Sequence, residues 1–123
     1  MKYLCLAYGD EEKSKAMTPS QWDDLIQKCR LYDDELQKSG HLVSGMSLGW
    51  GATTLRLRNG KLSVTDGPFA ATKEVVGGLV LIEARDLNEA IQVASLHPAA
   101  RMGEELGWGI EVRQIEEHPP CKG

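Results

Sequence analysis

The segment Gly78-Leu79-Val80-Leu81-Ile82-Glu83-Ala84 constrains the fold more than any other. In an extended chain successive side chains point to opposite faces, so Leu79 and Leu81 share one face and Val80 and Ile82 the other. A strand with apolar residues both ways leaves neither face for water and must be covered on both sides. Residues 2–8 form a second short apolar run of the same kind. The rest of the chain has to supply the covers.

Two helices are predicted to cover one side. Thr18-Pro19-Ser20-Gln21 opens the first: Thr18 can cap, Pro19 suits the first helical position and Gln21 completes a capping box. Trp22, Leu25, Ile26, Cys29, Tyr32 and Leu36 follow at three- and four-residue spacings and make one apolar face. Gly40 ends it by taking a left-handed conformation. Asp86-Leu87-Asn88-Glu89 opens the second helix in the same way, with Leu87, Ala90, Ile91 and Ala94 as its stripe, and Pro98 stops it near His97.

Between the helices, His41–Ser47 reads as a strand, and Thr53–Arg58 alternates as a half-buried strand does. Asn59-Gly60 is a strong hairpin signal, with Lys61–Thr65 as the return arm. Ile110–Ile115 gives a last strand. Gly9–Met17 and residues 99–109 read as loops.

The order strand, helix, strand, hairpin, strand, helix, strand predicts an α+β fold, a ferredoxin-like antiparallel sheet with two helices on one face. The other face stays bare, and a second copy of the chain is its simplest cover, which gives a homodimer closed as a dimeric α+β barrel. With 123 residues, positions 1–116 read as a single domain and 117–123 as a flexible tail.

Charge and composition exclude several classes. A net charge of -4 without a basic cluster argues against nucleic acid as a partner. No apolar run reaches the ~18 residues that would cross a bilayer. The apolar start is short and is followed at once by Gly9-Asp10-Glu11-Glu12-Lys13, so it reads as a strand rather than a signal peptide, and the cytoplasm is the expected compartment. There the three cysteines stay reduced, Cys5 and Cys29 as small core residues and Cys121 in the polar tail. No cysteine or histidine spacing suits a metal, and no phosphate- or dinucleotide-binding pattern occurs, so neither metal nor cofactor is expected.

The run Asp66-Gly67-Pro68-Phe69-Ala70-Ala71-Thr72-Lys73-Glu74, followed by Val75-Val76-Gly77-Gly78, sets a tight turn, acids and a base between two strands. Turn chemistry alone explains the Asp-Gly-Pro part. On that view Phe69 plugs the loop onto the core and Gly77-Gly78 permits a bulge. On a functional view, Asp66 is a general base, Lys73 binds an anion or stabilises an enolate, Glu74 sets the position of Lys73, and Thr72 completes a ligand-binding loop. His97 is the second catalytic candidate, against a plain role favouring a helix C-terminus. Arg101, Trp50 and Tyr8 are candidates to line a pocket.

This run closely resembles the DGPF family, a branch of the YCII-related proteins, whose common motif reads D-G-P-F-A-E-T-K-E. The resemblance covers Tyr3 to about Ile115 and implies a dimeric α+β barrel. Ala71 stands where the family usually has glutamate, so any role of that carboxylate is absent. In the wider group, a first-helix histidine and an aspartate before a proline after the second helix have been viewed as a catalytic pair. Here those positions fall near Trp22 and on His97, so that pair is not carried over. Barrels of this type include muconolactone isomerases and monooxygenases that work without metal or flavin. The fold that the resemblance implies thus permits a cofactor-independent enzyme acting on a small molecule by acid–base chemistry. The alternative is a ligand- or protein-binding regulatory module linked to an extracytoplasmic-function sigma factor.

Overall fold

The computed structural model describes residues 1–116. The expected tail, with Cys121 and His118, lies outside the described residues. Six strands alternate with helices: β1 (Lys2–Asp10), α1 (Glu11–Lys15), α2 (Pro19–Lys38), β2 (Leu42–Ser47), β3 (Thr53–Arg58), β4 (Lys61–Asp66), β5 (Glu74–Glu83), α3 (Leu87–Ala94), α4 (Pro98–Arg101) and β6 (Gly109–Gln114). A 3₁₀ turn at Glu104–Leu106 precedes the last strand. No helix among the described residues is long and apolar enough to cross a membrane.

The main sheet has the order β2-β5-β1-β6, with every pairing antiparallel, so the two doubly apolar strands are its centre. This is the ferredoxin-like arrangement. The strands β3 and β4 form a separate two-stranded sheet, turned by Asn59 and Gly60, both at positive φ as a two-residue hairpin of this hand requires.

The core follows from the strand alternation. Tyr3, Cys5, Val80 and Ile82 point to the helical side and pack with Leu36 of α2 and Ala90, Val93 and Ala94 of α3. Tyr3 and Ile82 are cross-strand partners, as are Cys5 and Val80, which fixes the register. Leu4, Leu6, Leu79 and Leu81, half-buried, face the opposite side, which no helix among the described residues covers.

Several local expectations are corrected. Gly9–Met17 is not a loop: β1 runs on to Asp10, whose side chain accepts from the Lys13 amide and caps α1. Residues 99–109 are not irregular either, because Pro98 takes the first position of α4 instead of merely stopping α3. The strand β5 starts at Glu74, and a register shift opposite Ala7 and Tyr8 passes over Gly77, so the glycine pair makes a bulge inside the strand. Trp22 remains 42% exposed, although Leu25 and Leu36 of the same stripe are buried.

Candidate functional site

A cleft of about 1170 Å³ opens at the end of the sheet where β1 finishes and β5 begins. One wall is the signature loop, Pro68 to Glu74, and another runs from Leu48 to Thr54 into the base of the β3–β4 hairpin. Tyr8, Trp50 and Phe69 give it aromatic surface. Tyr8 shares the strand face of Leu4 and Leu6, so the cleft is continuous with the uncovered side of the sheet.

The loop is shaped by its own chemistry. Gly67 takes a φ of +116°, which places an ordinary residue under strain. The Gly67 amide donates to the Ala52 carbonyl at 2.8 Å, and the Thr54 hydroxyl donates to the Gly67 carbonyl at 2.7 Å, tying loop to hairpin. The Thr72 hydroxyl donates to the Glu74 carbonyl at 2.7 Å and sets the run into β5. Phe69 does not plug the core: it is 71% exposed, and the Arg56 guanidinium lies over its ring at 4.7 Å.

Two carboxyl-bearing side chains meet in the cleft. Asp10 and Glu74 are cross-strand partners in the β1–β5 ladder, so both project from the same side of the sheet. A Cβ built on Gly107 would stand 3.3 Å from both Asp10 Cβ and Glu74 Cγ, so the backbone at Gly107 closes over the pair. Asp10 is only 6% exposed, and one of its oxygens is engaged by the Lys13 amide. Glu74 is exposed toward the cleft. Lys73 is the sole cation lining the cleft among the described residues, opposite Asp10, Glu11, Glu12 and Glu74. Glu11 is held by Lys15 at 2.9 Å.

The structure therefore gathers Thr72, Lys73 and Glu74 at one cleft with Tyr8 and Trp50, and does not bring the other candidates there. Asp66 is exposed at the end of β4, opposite Thr53, and is not among the residues that line the cleft. His97 caps α4: its Nδ1 accepts from the Ala99 amide at 3.0 Å, rather than serving the C-terminus of α3. Burial pushes its pKa below the usual histidine range, and Asp33 on α2 offsets part of that shift. Arg101 donates to the Ser95 carbonyl and to Glu35, and its guanidinium lies over Tyr32. Arg101 thus ties α4 to α2, and His97 caps the start of α4.

Asp10 is the residue that sequence reasoning missed. Its one signal is position, the first acid after an apolar strand, and nothing local says that this acid turns inward. No cluster of metal-binding side chains occurs among the described residues.

Comparison with known proteins gives consistent results. The chain matches the YCII-related domain over residues 1–117. It is 32% identical over 96 residues to an uncharacterised protein of Rhizobium meliloti (strain 1021), covering 76% of this chain and 77% of that one. It is also similar to the solved structure of 5-chloro-2-hydroxyhydroquinone dehydrochlorinase from Burkholderia phenoliruptrix AC1100, in complex with 2,5-dihydroxybenzoquinone. That similarity has a TM-score of 0.50 at 15% identity and covers 96% of each chain, a likeness of fold.

Proposed function

We propose, for a chain that belongs to the YCII-related domain family, that the cleft is the active site of an enzyme that moves protons on a small molecule. The observation that carries this reading is the convergence of Glu74, Asp10 and Lys73 in one aromatic-walled cleft. Glu74 is the general base, since its carboxylate reaches the open space and carries no hydrogen-bond duty elsewhere among the described residues. Lys73, beside it on the loop, balances the oxyanion or enolate that forms when a carbon or hydroxyl proton leaves. Asp10 is a positioning residue, its carboxylate fixed by the Lys13 amide. Thr72 holds the loop geometry through its bond to the Glu74 carbonyl. Asp66 shapes the turn that aims the loop, and His97 and Arg101 act at a distance by fixing the helices.

The dehydrochlorinase shows that this fold can carry chemistry on a small hydroxylated ring. Proton transfer of this kind leads to isomerisation or elimination, according to where the proton returns or what group departs. The uncovered sheet face, continuous with the cleft, is the face we propose a second copy covers.

The test is a thermal-shift screen against small phenols, quinols and unsaturated ketones, repeated with Glu74→Gln and Lys73→Met. A bound compound at a hundred times its dissociation constant raises stability by about 2.7 kcal/mol. Glu74→Gln should keep that shift but lose turnover by roughly 10²–10⁴-fold, and Lys73→Met should lose both. Turnover unchanged in Glu74→Gln would overturn the assignment, and binding without turnover in the wild type would leave a binding module.

A further inference from the structure

Beside the cleft, the start of α2 forms a second hollow of about 390 Å³, lined by Trp22 and Trp50. Met17 and Pro19, at the junction of α1 and α2, complete its apolar lining. Trp50 lines both spaces, so one indole is the wall that hollow and cleft share. That wall is held in place. The Leu48 amide donates to the Gly77 carbonyl at 2.9 Å, and the Ala52 carbonyl accepts from the Gly67 amide at 2.8 Å, so the Trp50 loop is tied at both ends. A Cβ built on Gly9 would stand 3.6 Å from Trp50 Cη2 and 3.3 Å from Trp108 Cδ1, so the bare backbone of β1 lets both indoles close in. Trp22 stays 42% exposed, although its spacing puts it on the core-facing stripe of α2. An indole left this open beside a fixed one is a platform for a flat group.

The polar part of the lining says what kind of group fits. The Ser14 hydroxyl donates to the Asp10 carbonyl at 2.9 Å, Thr18 Oγ1 accepts from the Gln21 amide at 3.1 Å, and the Lys15 ammonium lies 2.9 Å from Glu11. Each already has a partner within the chain. What the hollow offers a ligand is ring faces, aliphatic and thioether surface and two indole N–H groups. A sugar would leave most of its hydroxyls unpaired there, and an anion would compete with Glu11 for an exposed lysine. An uncharged aryl ring loses nothing and gains stacking. Size agrees. The cleft of about 1170 Å³ is already at the top of the range of about 300–1,000 Å³ that holds drug-sized molecules, with room for more than one ring.

We infer that the Trp22–Trp50 hollow is a subsite for an uncharged aryl group of the substrate, whose reacting end lies in the cleft. This rests on the reading of the cleft as the site of proton transfer, and it narrows the substrate class to compounds with an aryl substituent apart from the group that reacts. Trp22 and Trp50 then set specificity, and Gly9 keeps Trp50 in place.

The experiment uses two kinds of probe. Dansylamide, an uncharged aryl fluorophore, reads the hollow through energy transfer from tryptophan. Hydroquinone and its 2-phenyl, 2-benzyl and 2-phenethyl derivatives, titrated by calorimetry, read the link to the cleft. Dansylamide should bind the wild type, Trp22→Ala should weaken it at least about tenfold, and Trp22→Phe should keep most of the affinity. At least one derivative should bind the wild type about tenfold or more tighter than hydroquinone, and that ratio should fall to about twofold or less in Trp22→Ala. Dansylamide affinity that Trp22→Ala leaves intact, or derivatives no tighter than hydroquinone in the wild type, would overturn the inference. A change of assembly in sedimentation velocity of Trp22→Ala, in place of a loss of aryl affinity, would overturn it too and assign the hollow to a second copy. Both readouts are affinities, so a protein that turns nothing over would count against the acid–base assignment and leave this test intact.

Discussion

At the scale of single residues, His97 shows how a histidine can be structural and still govern pH behaviour. Its Nδ1 accepts the Ala99 amide, which is possible only while that nitrogen is unprotonated. Burial holds its folded pKa below the ordinary value of 6.5, with Asp33 opposing. The unfolded chain therefore binds the proton more readily. The contribution to stability is complete above pH 6.5 and is lost as pH falls through the depressed folded value. Urea unfolding at pH 7.5 and 6.0 should show the wild type losing stability that His97→Asn, which keeps a capping oxygen, does not lose. His97→Ala should cost about 1 kcal/mol at pH 7.5. Parallel pH dependence in wild type and His97→Asn would refute the cap's role in titration. What the sequence could not show is that Pro98 opens a new helix, which turns a residue expected at a C-terminus into an N-cap.

At the scale of elements, legibility tracked how many apolar residues an element commits to the core. The helix α2 was readable from its capping box, and both reciprocal bonds exist, Gln21 amide to Thr18 Oγ1 at 3.1 Å and Thr18 amide to Gln21 Oε1 at 2.9 Å. The helix α1 was not readable, because Glu11-Glu12-Lys13-Ser14-Lys15 has no apolar stripe and depends on a cap at the end of a strand. The sequence puts the start of β5 at Gly78, because two glycines look like a boundary, whereas the bulge lets pairing continue to Glu74. The same contrast sets the energetics of strands. Ile82 is fully buried between Tyr3 and the helices, so Ile82→Ala should destabilise by about 2–5 kcal/mol. Leu57, on the β3–β4 hairpin, meets solvent in the single chain, so Leu57→Ala should change unfolding by less than about 0.5 kcal/mol at protein concentrations too low for pairing. Urea titrations followed by tryptophan fluorescence measure both. A large loss at Leu57 under dilute conditions would mean that the hairpin packs on its own chain.

At the scale of the whole molecule, the architecture was legible because the element order admits few topologies, and two doubly apolar strands had to lie at the sheet's centre. The site was legible only in part. Thr72, Lys73 and Glu74 are contiguous, but Asp10 joins them through strand pairing across more than sixty residues, a relation no local pattern encodes. The same geometry connects cleft and sheet. Tyr8 lines the cleft from the strand face of Leu4 and Leu6, the side that no helix among the described residues covers. If a second copy covers that face, it also orders the wall that a ligand must meet, so pairing and binding share one ordering cost. Linkage then requires reciprocity: whatever factor pairing adds to ligand affinity, the ligand must add to pairing. Using the compound that raises the unfolding midpoint most, its dissociation constant should be lower above the dimer's dissociation constant than below it. The dimer should tighten by the same factor when that compound is saturating, within about 5–150-fold for couplings of this type. Equal ligand affinity at both concentrations would show that pairing covers the sheet without touching the cleft, leaving the signature loop rigid on its own.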